Sequence, residues 1–383
     1  MPSLVAPDNT FAVLASLFCI VLLGLMAERT ELGRKLTAPL IALTVGMLVA
    51  NLRVLPFESP AYGFVVSYLV PLAIPLLLLN ANLKKIFKET GPTLIAFLGG
   101  AVGTILGATG GFLFLDVGPE TYKIVGVLAA SFIGGSFNFV AVSQALEIQD
   151  SALVAAAAAA QGVVAIGYLS FLIAAPSIPF LQRMFRRTRG PVKASQAGPA
   201  SRGDDLFGGD GPTSTEVPAC IAFSLVVCSV GYGVAALFGT PQFAILFITL
   251  ITVAVASFAP GLTRLMRGGA SIGLLLVYVF IAAVGAQSNV WLLAGTAPAL
   301  VGFLAVLLAV HATATALVGR LFGLTLPEIL VGSNACALGA TTAAAVAAGK
   351  RWHDLVTPGI LSGMLGYVIA NFIGVALSYW LAG

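Results

Sequence analysis

The stretch Phe132–Val142, FIGGSFNFVAV, decides how this chain is read. It places two glycines, a serine and an asparagine in the middle of a long apolar run. Lipid offers a freed backbone group no hydrogen bond, so non-helical chain at membrane depth survives only where protein buries it or a wet cavity receives it. An interruption at this point is therefore expected to serve a site.

The surrounding composition supplies the membrane. Of 383 residues, 59% are hydrophobic and only 9% charged, with a mean hydropathy of +1.03. A soluble domain carries about 25% charged residues. The apolar runs are long enough for helices and lack the alternating pattern of barrel strands. The first of them follows Asp8 without a basic flank, so it is read as a retained span rather than a secretory signal. Cys19, Cys220, Cys228 and Cys336 are scattered through apolar segments and read as small buried hydrophobes.

Twelve apolar segments follow, near 10–27, 36–54, 61–80, 92–115, 121–148 and 151–176, then 217–238, 241–259, 270–292, 296–322, 325–348 and 353–382. A Gly-, Pro- and Ser-rich basic stretch over 186–215 separates the sets as a hydrophilic linker. The expected organisation is one membrane repeat over 1–185, a cytoplasmic linker over 186–215, and a second repeat over 216–383. GPTLIAFLGG (91–100) matches APALVGFLAV (297–306), and GYLSFLIA (167–174) matches GYVIANFI (366–373). In that register Gly135-Ser136 corresponds to Gly332-Ser333.

If all twelve segments cross, the basic residues divide almost evenly between the two sides. If segments 5 and 11 enter and leave by one side, all but Arg53 and Lys123 of the 19 basic residues fall in the cytoplasm. That bias is the membrane norm. It also makes the two repeats inverted in topology. The predicted fold is thus an all-α polytopic membrane protein with interrupted segments 5 and 11, which are either re-entrant or broken spans.

Inverted repeats with matched interruptions point to a transporter's central site. Gly134, Gly135 and Gly332 are the expected breaks. Ser136, Asn138, Ser333, Asn334, Thr341 and Thr342 are the expected ligands, since half-helix N-termini favour anions and neutral oxygens can hold Na⁺. The competing reading is plain packing by small residues between helices. Asn80 and Asn82 in NANL end segment 3, where capping is the competing reading. Pro71 and Pro75 should kink that segment. Gln161 and His311 are second-rank candidates.

All 15 acidic residues lie at or beyond segment ends, which disfavours proton exchange, and His311 alone is a buried titratable candidate. No nucleophile motif, P-loop or dinucleotide fingerprint occurs, so an enzyme is not expected. The expected function is a secondary active transporter with Na⁺ as coupling ion, no cofactor, and a small organic solute, such as an anion, as cargo. Sodium would sit at Ser136, Asn138, Ser333 and Asn334. The alternatives are a non-transporting receptor or scaffold, or a proton-coupled transporter. A bacterial inner membrane and a homodimer are expected; a nucleic-acid partner is not.

PLAIPLLLLNANLKKIFKETGPTLIAFLGGAVGTILGA followed by GGSFNFVAV closely resembles the YjcL-like family of membrane proteins. LNANL, the Gly-rich segment 5 and GSNACALGATTAAA are also similar, more distantly, to bacterial sodium–glutamate symporters. That likeness implies a core domain moving elevator-like against a panel domain. It also implies ion or substrate roles for Asn80, Asn82, Ser136, Asn138, Ser333, Asn334, Thr341 and Thr342. Those symporters carry Gly-Gly-His-Gly where this chain has GGSFN, so the substrate does not transfer.

Overall fold

Proline and hydroxyl chemistry delimit the helices. The computed structural model describes residues 3–30, 38–185, 213–266, 268–288 and 290–383, with the side chains of 264 and 290–296 also left aside. Most of the linker therefore lies outside the described residues. The first half comprises α1 (Thr10–Ala27), α2 (Ala38–Asn51), α3 (Pro60–Leu78), α4 (Leu83–Glu89), α5 (Pro92–Phe112), α6 (Thr121–Gly134), α7 (Ser136–Ala145), α8 (Ser151–Ala174) and α9 (Pro179–Met184). The second comprises α10 (Glu216–Leu237), α11 (Ala244–Phe258), α12 (Pro260–Thr263), α13 (Gly269–Ala286), α14 (Val290–Leu321), α15 (Leu326–Ala337), α16 (Ala340–Gly349) and α17 (Val356–Ala382). Among the described residues the fold is all-helical, and nine helices are long and apolar enough to cross a membrane.

Starts are capped as the side chains require. Asp150 Oδ1 accepts from Leu153 N at 3.0 Å, and Thr325 with Glu328 forms a reciprocal capping box on α15. In α3 a π-helical turn, Val65–Leu69, precedes Pro71, and Pro75 sits inside the helix. Pro75 has no N–H for the Pro71 carbonyl. Cys228 Sγ of α10 donates to that carbonyl instead, at 3.3 Å. A neighbouring helix thus satisfies the group that the proline frees.

The helices associate in two sets. In one, α2 packs along α13, α3 against α13 and α10, and α10 along α11. In the other, α5 packs along α14, α17 along α6, and α8 against α14.

The two interruptions are both helical hairpins. Gly135 breaks α6 from α7 at φ +80°, ψ 177°, and Gly339 breaks α15 from α16 at φ +92°, ψ −179°. Side chains before and after each break lie side by side. Gly374 of α17 touches both Ala130 and Val142, and Gly359 touches both Val331 and Ala343. The mouth of the first hairpin is tied shut at its base. Glu120, just before α6, accepts from Gln149 N at 3.1 Å and Asp150 N at 3.2 Å, just after α7. Lys123 Nζ donates to Glu120 at 2.7 Å and to the Glu147 carbonyl at 3.4 Å. The hairpins meet tip to tip, Gly135 against Gly339. Helix α17 runs past both, with Gly359 and Gly363 beside the second hairpin and Gly374 and Ser378 beside the first.

The break in the second half is therefore at Gly339, not at Gly332. Gly332 lies within α15, where it lets that helix approach Thr93 and Ala96 of α5. Gly134 is the last residue of α6, not a turn residue.

The clamp at Glu120 makes a pH prediction. Burial pushes its carboxyl up, but Lys123 and the two backbone N–H groups outweigh this and hold it below the ordinary value. A carboxyl depressed on folding contributes stability above its ordinary pKa and loses it as pH falls through the folded value. The thermal midpoint should thus drop as pH is lowered below about 4. Glu120→Gln should flatten that acid limb; an unaltered limb in the variant would show that Glu120 does not hold the hairpin base.

Candidate functional site

At the hairpin tips the chain turns two helix N-termini toward one point. The first N–H groups of such helices lack intrahelical partners and carry partial positive charge. Ser136 opens α7 and is exposed, and its Oγ accepts from Gln161 Nε2 of α8 at 3.0 Å. Thr341, in the first turn of α16, is also exposed. Tyr367 of α17 spans both tips: its ring lies against Gly135, and its hydroxyl accepts from Ala340 N at 3.1 Å.

Asn138 is 2% exposed and faces α17. Its Nδ2 donates to the Tyr367 carbonyl at 3.0 Å and to Asn371 Oδ1 at 2.8 Å. Two flanking acceptors fix which end of the amide faces them. Its Oδ1 is then left buried with no donor among the described residues. Asn371 Nδ2 continues to Thr249 Oγ1 of α11 at 3.2 Å, a polar link between the two helix sets. Beside Asn138 and Asn371 lies a cavity of about 20 Å³, walled by Phe137 and Tyr367 on one side and Ile74 and Val277 on the other. That is room for about one water molecule and too little for an organic solute.

Asn334 is buried within α15 and reaches across its own hairpin. Its Oδ1 accepts from Thr342 Oγ1 at 2.7 Å, and Thr342 Oγ1 also lies 3.0 Å from the Gly339 carbonyl. These contacts hold the turn closed. Ser333 faces away from the break. Its Oγ is 2.9 Å from His311 Nε2 and 2.7 Å from the Tyr168 hydroxyl. On the other side of the imidazole, Nδ1 lies 2.9 Å from Thr104 Oγ1, which donates to the Gly100 carbonyl at 3.0 Å. One set of proton positions satisfies the whole chain: Tyr168 to Ser333, Ser333 to His311 Nε2, His311 Nδ1 to Thr104, Thr104 to Gly100. His311 is fully buried, and its ring partners are all neutral hydroxyls.

Several sequence expectations are thereby relocated. Ser136, Asn138, Asn334, Thr341 and Thr342 gather at the tips, and Gln161 joins them through Ser136. Ser333 and His311 form a separate buried network. Asn82 caps α4, accepting from Lys85 N at 3.1 Å, and Asn80 is an exposed residue at the end of α3. Among the described residues, no group of three His, Cys, Asp or Glu side chains could hold a metal. Tyr168, Tyr367, Asn371, Thr104 and Thr249 were not singled out from the sequence. The two tyrosines occupy matched places in GYLSFLIA and GYVIANFI, so the internal repeat already carried the signal.

These features define a multi-pass helical membrane protein with two helical hairpins whose tips meet at Gly135 and Gly339. The chain belongs to the family described as "Protein of unknown function (DUF819)", which matches residues 15–383. It is similar to the "Uncharacterized membrane protein YjcL" of Bacillus subtilis (strain 168), with 32% identity over 393 residues covering 99% of each chain.

Proposed function

We propose that this protein is a secondary active transporter, coupled to Na⁺, that moves a small organic solute, such as an anion, by alternating access. The observation that carries this reading is the pair of hairpins meeting at Gly135 and Gly339. Facing N-termini attract an anion, while Ser136 Oγ, Asn138 Oδ1 and Thr341 offer neutral oxygens suited to Na⁺. In a bilayer each hairpin is a re-entrant segment, and the halves before and after the linker are repeats of inverted topology. The set built on α5–α8 and α14–α17 is then a core, and the set built on α1–α3, α10, α11 and α13 a panel.

The cavity beside Asn138 lies between these sets and is too small for a solute. Admitting one requires the core to move against the panel, breaking or sliding the Asn371–Thr249 bond. An elevator-like displacement fits that requirement. The membrane is a bacterial inner membrane with 186–215 on the cytoplasmic side, and a homodimer would form through the panel.

The test is thermal stability of the purified protein in Na⁺, K⁺ or choline at equal ionic strength. A bound cation at 100 times its dissociation constant adds about 2.7 kcal/mol. A rise specific to Na⁺, reduced in Ser136→Ala and Thr341→Ala, is the expected result. Equal midpoints in the three salts would sink sodium coupling.

A further inference from the structure

A second cavity lies apart from the hairpin tips and plays no part in the transport reading. It has a volume of about 350 Å³, between α8 and α9 on one side and α14 and α15 on the other. That falls within the range of small-molecule sites. Its walls are mostly apolar, including Leu172, Met184, Ala316 and Leu330. Two of its lining residues, Phe171 and Leu317, are 42% and 63% exposed on helices long enough to span the membrane. The cavity is therefore reached from the acyl-chain region.

The polar groups in the wall narrow what can enter. Four hydroxyls line it, from Tyr168, Thr313, Thr315 and Ser333. Tyr168 and Ser333 spend their protons in the His311 chain described above. Thr313 Oγ1 donates to the Ala309 carbonyl at 2.8 Å and Thr315 Oγ1 to the His311 carbonyl at 2.7 Å. No hydroxyl proton remains for a ligand, so acceptor groups along a ligand's length would lose water without recovering hydrogen bonds. One donor group is left, the guanidinium of Arg320 in the last turn of α14. It has no ion-pair partner among the described residues.

We infer that this cavity holds an anionic phospholipid of the surrounding bilayer, with one acyl chain inside and its phosphate at Arg320. An apolar slot with a single cation at its rim matches a ligand that is apolar except at one charged end. Basic pockets between membrane helices are known anionic-lipid sites on general electrostatic grounds. The site owes nothing to the hairpin tips, and its test is independent of any cation effect.

The experiment is native mass spectrometry of the full chain in mild detergent, titrated with phosphatidylglycerol or with phosphatidylcholine of the same acyl chains. Wild type should retain one phosphatidylglycerol per chain at concentrations where phosphatidylcholine is lost. Arg320→Gln, at an exposed position, should weaken retention about fivefold, the equivalent of ~1 kcal/mol per basic residue near a membrane surface. Ala316→Phe, which fills the slot, should abolish it. Four results would each overturn the assignment. The two lipids could be held alike, or both variants could retain phosphatidylglycerol as wild type does. Alternatively, wild type could bind none. Competition by glycerol phosphate alone, matching that of the intact lipid, would equally refute it, because the acyl chain would then contribute nothing.

Discussion

Gly135→Ala and Gly339→Ala are each expected to destabilise the protein by ~1–3 kcal/mol and to remove any Na⁺-specific rise in midpoint. Both glycines combine φ near +80 to +90° with extended ψ, at +80°, 177° and +92°, −179°. That region is essentially closed to residues with a Cβ. Gly339 has the added obstacle of the Tyr367 hydroxyl, 3.1 Å from where a Cβ would stand. Alanine there must either distort the turn or push Tyr367 off the Ala340 N–H that it accepts from. Gly110→Ala and Gly167→Ala are the controls. Both sit in helices with open space around the missing Cβ. Alanine favours a helix over glycine by up to ~1 kcal/mol, so these should be neutral or mildly stabilising. If all four variants shift the midpoint alike, the breaks have no special conformational requirement and the tip-to-tip site loses its foundation.

His311→Ala is expected to be the most damaging change away from the hairpin tips. It leaves Ser333 without an acceptor and Thr104 without a donor, and opens a void against Gly100, which has no side chain to refill it. Hydrogen bonds between membrane helices average about 0.6 kcal/mol, less than the 1–3 kcal/mol for an orphaned group in a soluble core. The void adds to this, so a total of ~2–4 kcal/mol is expected, mostly from lost packing. Tyr168→Phe removes one donor and no volume, and should cost about 0.6 kcal/mol. Denaturation of the two variants under identical conditions reads the order. Equal losses would mean that hydrogen bonding, not packing, dominates at His311. The imidazole's partners are hydroxyls, and among the described residues none of them is a carboxylate, so the Na⁺ response is expected to be alike at pH 6 and pH 8. A response that vanishes between those values would instead give His311 a proton-carrying role.

Much of the candidate site was legible in residue types, and the errors have definite causes. GGSFN marked its own break because the glycine is followed at once by Ser136 and Asn138, which a continuous apolar helix has little use for. GSNACALGATT contains two glycines, and the sequence does not reveal which one leaves helical geometry. The repeat register chose Gly332, whereas tight packing on α5 keeps that glycine helical and the turn falls at Gly339. Amides at helix ends such as Asn82 suit both capping and binding, and the structure adds the capping contact, 3.1 Å from Lys85 N. Tyr367 and Asn371 lie in GYVIANFI, whose likeness to GYLSFLIA marks a repeat and not a site. Nothing local to α17 says that it runs past both hairpins.

By itself the sequence determined the solvent of this protein, its helical class and the existence of two interruptions. Those properties follow from hydropathy, charge placement and glycine content, which are sums over neighbouring residues. The tertiary structure alone decided that each interruption folds back on itself, because that rests on contacts such as Glu120 with Asp150 and Asn334 with Thr342. It alone joined Asn138 to Asn371 and His311 to Tyr168, pairs separated by 233 and 143 positions in the chain. A backbone break costs free energy locally, but what it offers a ligand depends on which other helix arrives beside it.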